Sequence, residues 1–192
     1  MRIIAGTFRS RPLQAPAGLA TRPTSDRLRE TLFNVLAPRL VGARFLDLYA
    51  GSGAVGLEAL SRGATSVVFV ENAPAALKIL RANLERLGVK DRFVVQASSV
   101  RESLRRAKGT ASGFDVVFLD PPYEAEAEYA TTLGALGGAA SGMLADGAVV
   151  IAEHRRKQRL EDSYGALQRA RLLEQGDVAL SFYRVGESAT NS

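Results

Sequence analysis

The sequence predicts an α/β protein built on one open sheet, mostly parallel with an antiparallel last strand and preceded by a small β-hairpin. Three observations lead there. From Phe45 to Ala152, short apolar runs alternate with amphipathic stretches, the pattern of strands joined by crossover helices on both faces of a sheet. Near the end, Leu167–Leu173 and Val178–Val185 flank Gln175-Gly176-Asp177, a turn with no room for a helix, so these two strands run antiparallel. Ahead of Phe45, Gly6, Pro12, Pro16 and Gly18 break the first 24 residues into short segments that suit a hairpin with a loop.

The elements follow in order. Thr24 or Ser25 can cap a helix from Asp26 to Leu40, whose Leu28, Leu32, Val35 and Leu36 share one face, with Pro38 loosening its last turn. Phe45–Tyr49 reads as a buried strand, followed by a Gly-rich turn and a helix over Ala54–Ser61 that Gly63 ends. Val67–Val70 is the second strand; Pro74 opens a helix to Leu87 that Gly88 closes. Phe93–Val95, Val116–Leu119 and Val149–Ala152 are three more strands, with helices near Val100–Lys108 and Glu124–Leu136 between them. The expected organisation is a hairpin extension over 1–24, one domain over 25–186 and a loose tail over 187–192, with no internal repeat.

Composition narrows the function classes. At 192 residues and 46% hydrophobic, the chain suits one domain with a sizeable core. No apolar run approaches the roughly 18 residues of a membrane helix, and the start, Met1-Arg2-Ile3-Ile4-Ala5-Gly6, is too short in apolar length for a signal peptide. With no cysteine and a single His154, disulfides, thiolate nucleophiles and multi-histidine metal sites are not expected. A cytoplasmic monomer without a metal and without membrane attachment is the simplest expectation. The charge is uneven: residues 1–44 hold eight Arg against Asp26 and Glu30, a net +6, so the whole chain's +5 comes from its amino-terminal part. Arg suits phosphate oxygens and stacks on bases, which makes Arg2, Arg9, Arg11, Arg22 and Arg27 candidate RNA-binding residues. The run His154-Arg155-Arg156-Lys157 reads equally well as a solvated loop, with His154 structural.

Two motifs carry chemistry. Asp47-Leu48-Tyr49-Ala50-Gly51-Ser52-Gly53 lies where the first strand meets its helix, and Gly51 and Gly53 permit a tight turn open to a ligand. The string Gly51 to Gly56 would also serve a dinucleotide. Asp47 decides against that, because a carboxylate there suits the ammonium of a methionine moiety and repels a pyrophosphate. Glu71, at the end of the second strand, can take both ribose hydroxyls in either cofactor class. The expected S-adenosyl-L-methionine set is Asp47, Gly51, Ser52, Gly53, Glu71 and Ser98. Ser98 or a backbone group would stand in for the Asp often found after the third strand.

Asp120-Pro121-Pro122-Tyr123 ends the fourth strand, where open α/β sheets bind ligands. An exocyclic amine conjugated to a purine is nearly planar and a poor nucleophile. If the Asp120 carboxylate and the Pro121 carbonyl each accept one N–H, the lone pair turns toward an activated methyl, while Tyr123 stacks on the extruded base. Asp120, Pro121, Pro122 and Tyr123 are therefore the expected catalytic set.

The order of elements resembles the Rossmann-like fold of class I methyltransferases, whose seventh strand inserts antiparallel beside the fifth. The whole chain resembles the bacterial 16S ribosomal RNA guanine-N2 methyltransferases. It does so through Arg2–Arg11, the Arg-Pro-Thr-Ser-Asp-Arg-Leu-Arg-Glu-Thr-Leu-Phe-Asn stretch over Arg22–Asn34, Leu46–Arg62 and Val117–Tyr123. That resemblance implies methylation of one guanine N2 in small-subunit ribosomal RNA, a target-amine site at Asp120–Tyr123, and a hairpin that grips RNA, in the guanine-966 type with the RNA carried in a small-subunit particle. The residues leave one alternative open, an adenine-N6 or other amino methyltransferase acting on DNA or another RNA, since D-P-P-Y does not separate purines.

Overall fold

The computed structural model describes residues 1–15, 25–106, 113–122 and 124–186. Helix α1 (Asp26–Leu40) is capped by Ser25, whose side chain accepts from Leu28 N, and it runs through Pro38 without stopping. Strand β1 (Arg44–Leu48) leads into α2 (Ala54–Ser61), β2 (Ser66–Glu71), α3 (Pro74–Leu87), β3 (Phe93–Ala97), α4 (Val100–Arg106) and β4 (Phe114–Leu119). Then come α5 (Glu126–Leu136), β5 (Leu144–Arg155), β6 (Ser163–Tyr164), β7 (Leu167–Gln175) and β8 (Val178–Val185). The eight strands form one sheet in the order β3-β2-β1-β4-β5-β8-β7-β6. Strands β1 to β5 are parallel; β8 inserts antiparallel between β5 and β7. This is the predicted sheet.

The differences are local. Strands β2, β3 and β4 each extend past their apolar run, because pairing continues through polar ends such as Ser66 and Gln96. Strand β5 starts five residues earlier than expected, before Asp146-Gly147, with a register irregularity between Phe114 and Val116 opposite it. Helix α5 begins at Glu126 rather than Glu124, because Ala125 N first donates to Pro122 O (2.8 Å) and closes a turn. Strand β6 had no sequence signal. Residues 16–24 of the expected hairpin extension, residues 107–112, which include the last two of the expected fourth helix, and the 187–192 tail lie outside the described residues.

Period-two alternation splits the sheet into two cores. One face packs Phe45, Val67, Phe69, Val116, Phe118 and Ile151 against α1, α2 and α3. The other packs Leu46, Leu48, Val117, Leu119 and Val150 against α4 and α5. All eight residues of α2 are buried, so this helix lies inside the molecule.

The amino-terminal hairpin is a pair of segments joined by one bridge, Arg2 to Pro12, with backbone bonds Ile3 N to Arg11 O and Ser10 N to Ile3 O. It is docked on α2. Ile4 N and Ala5 N donate to the two oxygens of Glu58 (2.7 and 3.0 Å), and Thr7 N donates to Ser61 O (2.8 Å). Gly6 fits only as glycine: it has φ +83°, and a Cβ there would lie 1.9 Å from Ser61 O. Ile3 and Leu13 are buried in the α1–α3 core.

Candidate active site at the carboxyl ends of the strands

The turn from β1 into α2 contains three residues with positive φ, Tyr49 (61°), Gly51 (55°) and Gly53 (78°). Gly53 is the N-cap of α2 and brings no capping side chain. Asp47 supplies the missing acceptor from the strand beneath: its Oδ2 accepts from Gly56 N at 2.9 Å. Glu71 does the same for the other half of the loop, with Oε2 accepting from Gly51 N and Oε1 from Asn72 N and Ala73 N, all at 2.8 Å. Gly53 N donates to Ala50 O (2.7 Å), and Ser52 is buried with its carbonyl taken by Asn83 Nδ2 (2.9 Å).

These bonds change the reading of the loop in two ways. The N–H groups of Gly51, Gly53 and Gly56 already serve protein acceptors, so the turn is poorly equipped for a pyrophosphate. A Cβ on Gly53 would sit 2.2 Å from Leu80 Cδ1, and one on Gly56 would sit 2.3 Å from Phe69 Cε1. The geometry therefore assigns Gly53 to packing, where the sequence reading expected it to leave room for a ligand. Gly51 is the open one: the nearest atom to its Cβ would be Tyr49 O at 4.0 Å.

Register aligns four carboxyl groups across four neighbouring strands. Asp47 pairs with Phe69 and with Phe118, and Phe118 pairs with Ile151. One alternation further along, Glu71, Asp120 and Glu153 therefore lie on the same sheet face as Asp47, at the strand ends. They are not clustered tightly enough to hold a metal ion, and no other described group of His, Asp or Glu is either. Asp47 is buried, and burial, followed by the repulsion of Glu71, pushes its carboxyl up to about 8 against the opposing Gly56 bond. Asp120 keeps one side open, but burial and then the charges of Glu153 and Asp47 hold its carboxyl well above the usual range. Both acids favour a cation in the crevice, since a positive ligand is what lets them ionise.

Of the predicted target residues, Pro121 is buried and Pro122 exposed, with the Pro122 carbonyl spent on the turn to Ala125. Tyr123 lies outside the described residues. After β3, Ser98 is half-buried, while Ser99 is occupied as the cap of α4, its Oγ accepting from Glu102 N (3.2 Å). Arg2, Arg9, Arg11 and Arg27 are all exposed; Arg22 lies outside the described residues. Arg11 also donates to Leu87 O (3.2 Å). Arg29, counted in the basic excess, is fully buried, bonded to Asp26 Oδ1 (2.8 Å) and Arg2 O (2.5 Å), so it is not a surface cation. Asn83 joins the hairpin to the loop: it accepts from Gln14 N (2.7 Å) and donates to both Gln14 O and Ser52 O.

Sequence reasoning missed two residues here. Tyr49 holds a left-handed backbone in the glycine turn, and its hydroxyl bonds Glu128 Oε2 (2.7 Å) and Thr132 Oγ1 (2.8 Å), tying the loop to α5. Glu153 is 1% exposed. Its signal was an acid directly after the apolar run of a central strand.

Known proteins agree with this architecture. The Bacillus subtilis protein YlbH, provisionally named an rRNA methyltransferase, is 35% identical over 184 residues, covering 96% of this chain and 98% of the relative. Ribosomal RNA small subunit methyltransferase D of Escherichia coli K12 is 46% identical over 123 residues, which is 64% of this chain and 60% of that protein. The solved structure of an E. coli protein provisionally named methyltransferase yhhF superposes with a TM-score of 0.81 at 39% identity, covering 95% of this chain and 96% of the other. The family profile described as "Conserved hypothetical protein 95" matches residues 1–184, nearly the whole chain, and the protein belongs to that family.

Proposed function

We propose that this protein methylates the exocyclic N2 amine of a guanine in 16S ribosomal RNA, using S-adenosylmethionine. The observation that carries this reading is the crevice itself. Carboxyl groups stand at or near the carboxyl ends of four adjacent strands, three loop N–H donors are already spent, and Asp120-Pro121-Pro122 stands beside the loop. A ligand with an ammonium and a sulfonium suits that crevice; a dinucleotide, which brings phosphates, does not. The names of the relatives from B. subtilis and E. coli support ribosomal RNA as the substrate.

The residues fit the cofactor as follows. Glu71 is half-buried at the loop and takes the ribose hydroxyls. Asp47 acts less by open contact than as a negative charge beneath the loop, because it is only 2% exposed and one oxygen is committed to Gly56. Gly51 leaves the approach clear, Ser52 and Gly53 hold the turn, and the half-buried Ser98 accepts from the adenine amine. S-adenosylmethionine, when bound, supplies an electrophilic methyl on a sulfonium. Asp120 and the Pro121 carbonyl orient the amine, and Tyr123 stacks on its base. Such positioning is worth several kcal/mol as effective molarity. Exposed Arg2, Arg9, Arg11 and Arg27, with Arg22, grip RNA phosphates.

Mass mapping of methylated nucleosides in ribosomal RNA from a deletion strain tests this. The expected result is loss of one N2-methylguanosine from 16S RNA, restored by the wild-type gene and not by Asp120→Ala. Loss of N6-methyladenosine instead, or no change in any ribosomal RNA, would overturn the substrate assignment.

A further inference from the structure

Glu153 has no part in the reaction as described so far, yet its position ties it to Asp120. Leu119 pairs with Ala152, so Asp120, just past the end of β4, and Glu153, the next residue of β5, come side by side, close enough for the charge of one to act on the other. Glu153 is closed off from solvent, whereas Asp120 keeps an open side to the crevice. The backbone at Glu153 is held from both sides: its carbonyl accepts from Tyr129 Oη (2.9 Å), and its Cα pairs with Leu180 of β8. A carboxyl group so buried and held beside a second one is expensive to keep.

We propose that Glu153 is a positioning residue for methyl transfer and acts through Asp120, strengthening that carboxyl group as the acceptor of the target amine's N–H. This rests on the placement of the target amine at Asp120. The reasoning concerns proton affinity. As the amine nitrogen takes the methyl, the N–C bond forms, the electron pair of the broken S–C bond stays on sulfur, and the nitrogen must shed one N–H proton. A carboxylate with a like charge at its side holds a proton more strongly than a lone one, so Asp120 pulls harder on that N–H. The lone pair is thereby turned further toward the methyl, and Asp120 receives the proton and passes it to water at its open side.

The other groups facing the pair do not replace Glu153. Asp47 faces it from β1 and adds repulsion from the far side of Asp120, with Glu71 one strand beyond. β8 presents Leu180 opposite Glu153, without charge. The Tyr129 hydroxyl of α5 is spent on the Glu153 carbonyl. His154 points to the opposite face, where Ser181 Oγ and the Arg155 carbonyl hold its ring (both 2.9 Å) and burial lowers its proton affinity.

The test compares the full-length wild type with Glu153→Gln and Glu153→Asp. The Asp120 carboxyl is titrated by NMR with carbon-13 aspartate, and the pH profile of kcat is measured on small-subunit particles from cells lacking the gene. In Glu153→Gln the Asp120 titration and the acid limb of kcat should both move down by one pH unit or more, with a limiting rate about tenfold lower; Glu153→Asp should keep the wild-type limb. An unmoved Asp120 titration overturns the proposal, as does a shifted titration with an unshifted acid limb. Should Glu153→Gln fail to fold, the wild type decides: two carboxyls titrating independently in the ordinary range refute it, and two coupled steps support it. Full activity of Asp120→Asn would instead overturn the target-amine reading, and the coupled titration would survive that result.

Discussion

Glu58→Ala should loosen the amino-terminal hairpin and cost the fold a large part of its stability. Glu58 is fully buried in α2 and accepts from Ile4 N (2.7 Å), Ala5 N (3.0 Å) and Arg62 Nε (2.6 Å), with the buried Arg29 Nε 3.8 Å away. Alanine removes the second carboxylate beside the buried Arg29 guanidinium, which keeps Asp26 Oδ1 at 2.8 Å, and the partner of Arg62 Nε, at about 1–3 kcal/mol. The two hairpin N–H groups also lose their acceptor, at about 1–3 kcal/mol each before water enters. A total near 5 kcal/mol is a third or more of a domain's usual 5–15 kcal/mol. For a chain of this size that corresponds to a fall in Tm of roughly 10–20 °C. Calorimetry with urea titration measures it, and hydrogen exchange at Ile4 and Ala5 should show their amides opening first. A Tm within about 4 °C of wild type would refute the idea that Glu58 anchors the hairpin.

Four further outcomes follow from the same geometry. Gly53→Ala drives a Cβ to 2.2 Å from Leu80 at a φ of +78°, so it should destabilise the protein by about 2–4 kcal/mol. Gly51→Ala faces open space and should cost about 1 kcal/mol of stability while weakening S-adenosylhomocysteine binding in calorimetry. Asp47 keeps its proton in the ligand-free fold up to about pH 8, whereas the unfolded chain releases it near the ordinary carboxylate value. Its contribution is thus present at low pH and lost as pH rises through about 8, and urea unfolding between pH 5 and pH 8 should show stability falling in wild type and a flatter profile in Asp47→Asn. Reversing the exposed Arg9 and Arg11 to Glu should weaken RNA binding and reduce its salt slope by about one per lost phosphate contact, with cofactor affinity kept and stability lower by only about 1 kcal/mol for the lost bond from Arg11 to Leu87 O; an unchanged slope would remove the hairpin from the RNA interface.

The strands and helices were legible because burial on both faces leaves continuous apolar runs, and Pro74, Gly63 and Gly88 punctuate them. What stayed hidden was every polar residue working inside the fold. Glu58 sits in Ala-Val-Gly-Leu-Glu-Ala-Leu-Ser and resembles a solvent-side charge. A readable hint existed: a helix apolar all round is a buried helix, and an acid within it needs partners. Those partners are backbone N–H groups some fifty residues away, which no periodicity records. Arg29 was hidden in the same way, by being one of eight arginines in a basic stretch. The acids at the strand ends were found where a motif marked them, at Asp47, Glu71 and Asp120. Glu153 carries no motif, and only the register of β4 against β5 brings it to Asp120.

Helix α2 links the two halves of the proposed activity. Its amino end is the glycine loop, held by Asp47 and Glu71; its carboxyl end carries Glu58 and Ser61, which hold the hairpin. The hairpin's second segment then returns to the loop, where Asn83 bonds both Gln14 and Ser52 O. A basic arm tethered by a flexible linker would lose its RNA-binding role alone on deletion. Here, deleting it strips two donors from a buried carboxylate and uncovers Ile3 and Leu13, each worth about 1.5–3 kcal/mol when buried. Truncation therefore measures folding before it measures RNA affinity, and charge reversal at exposed arginines is the cleaner probe. The same wiring gives the hairpin a reason to be so firmly held. An RNA gripped by Arg2, Arg9 and Arg11 is gripped by the rigid body that carries the cofactor loop, so little freedom remains between the bound RNA and the methyl donor.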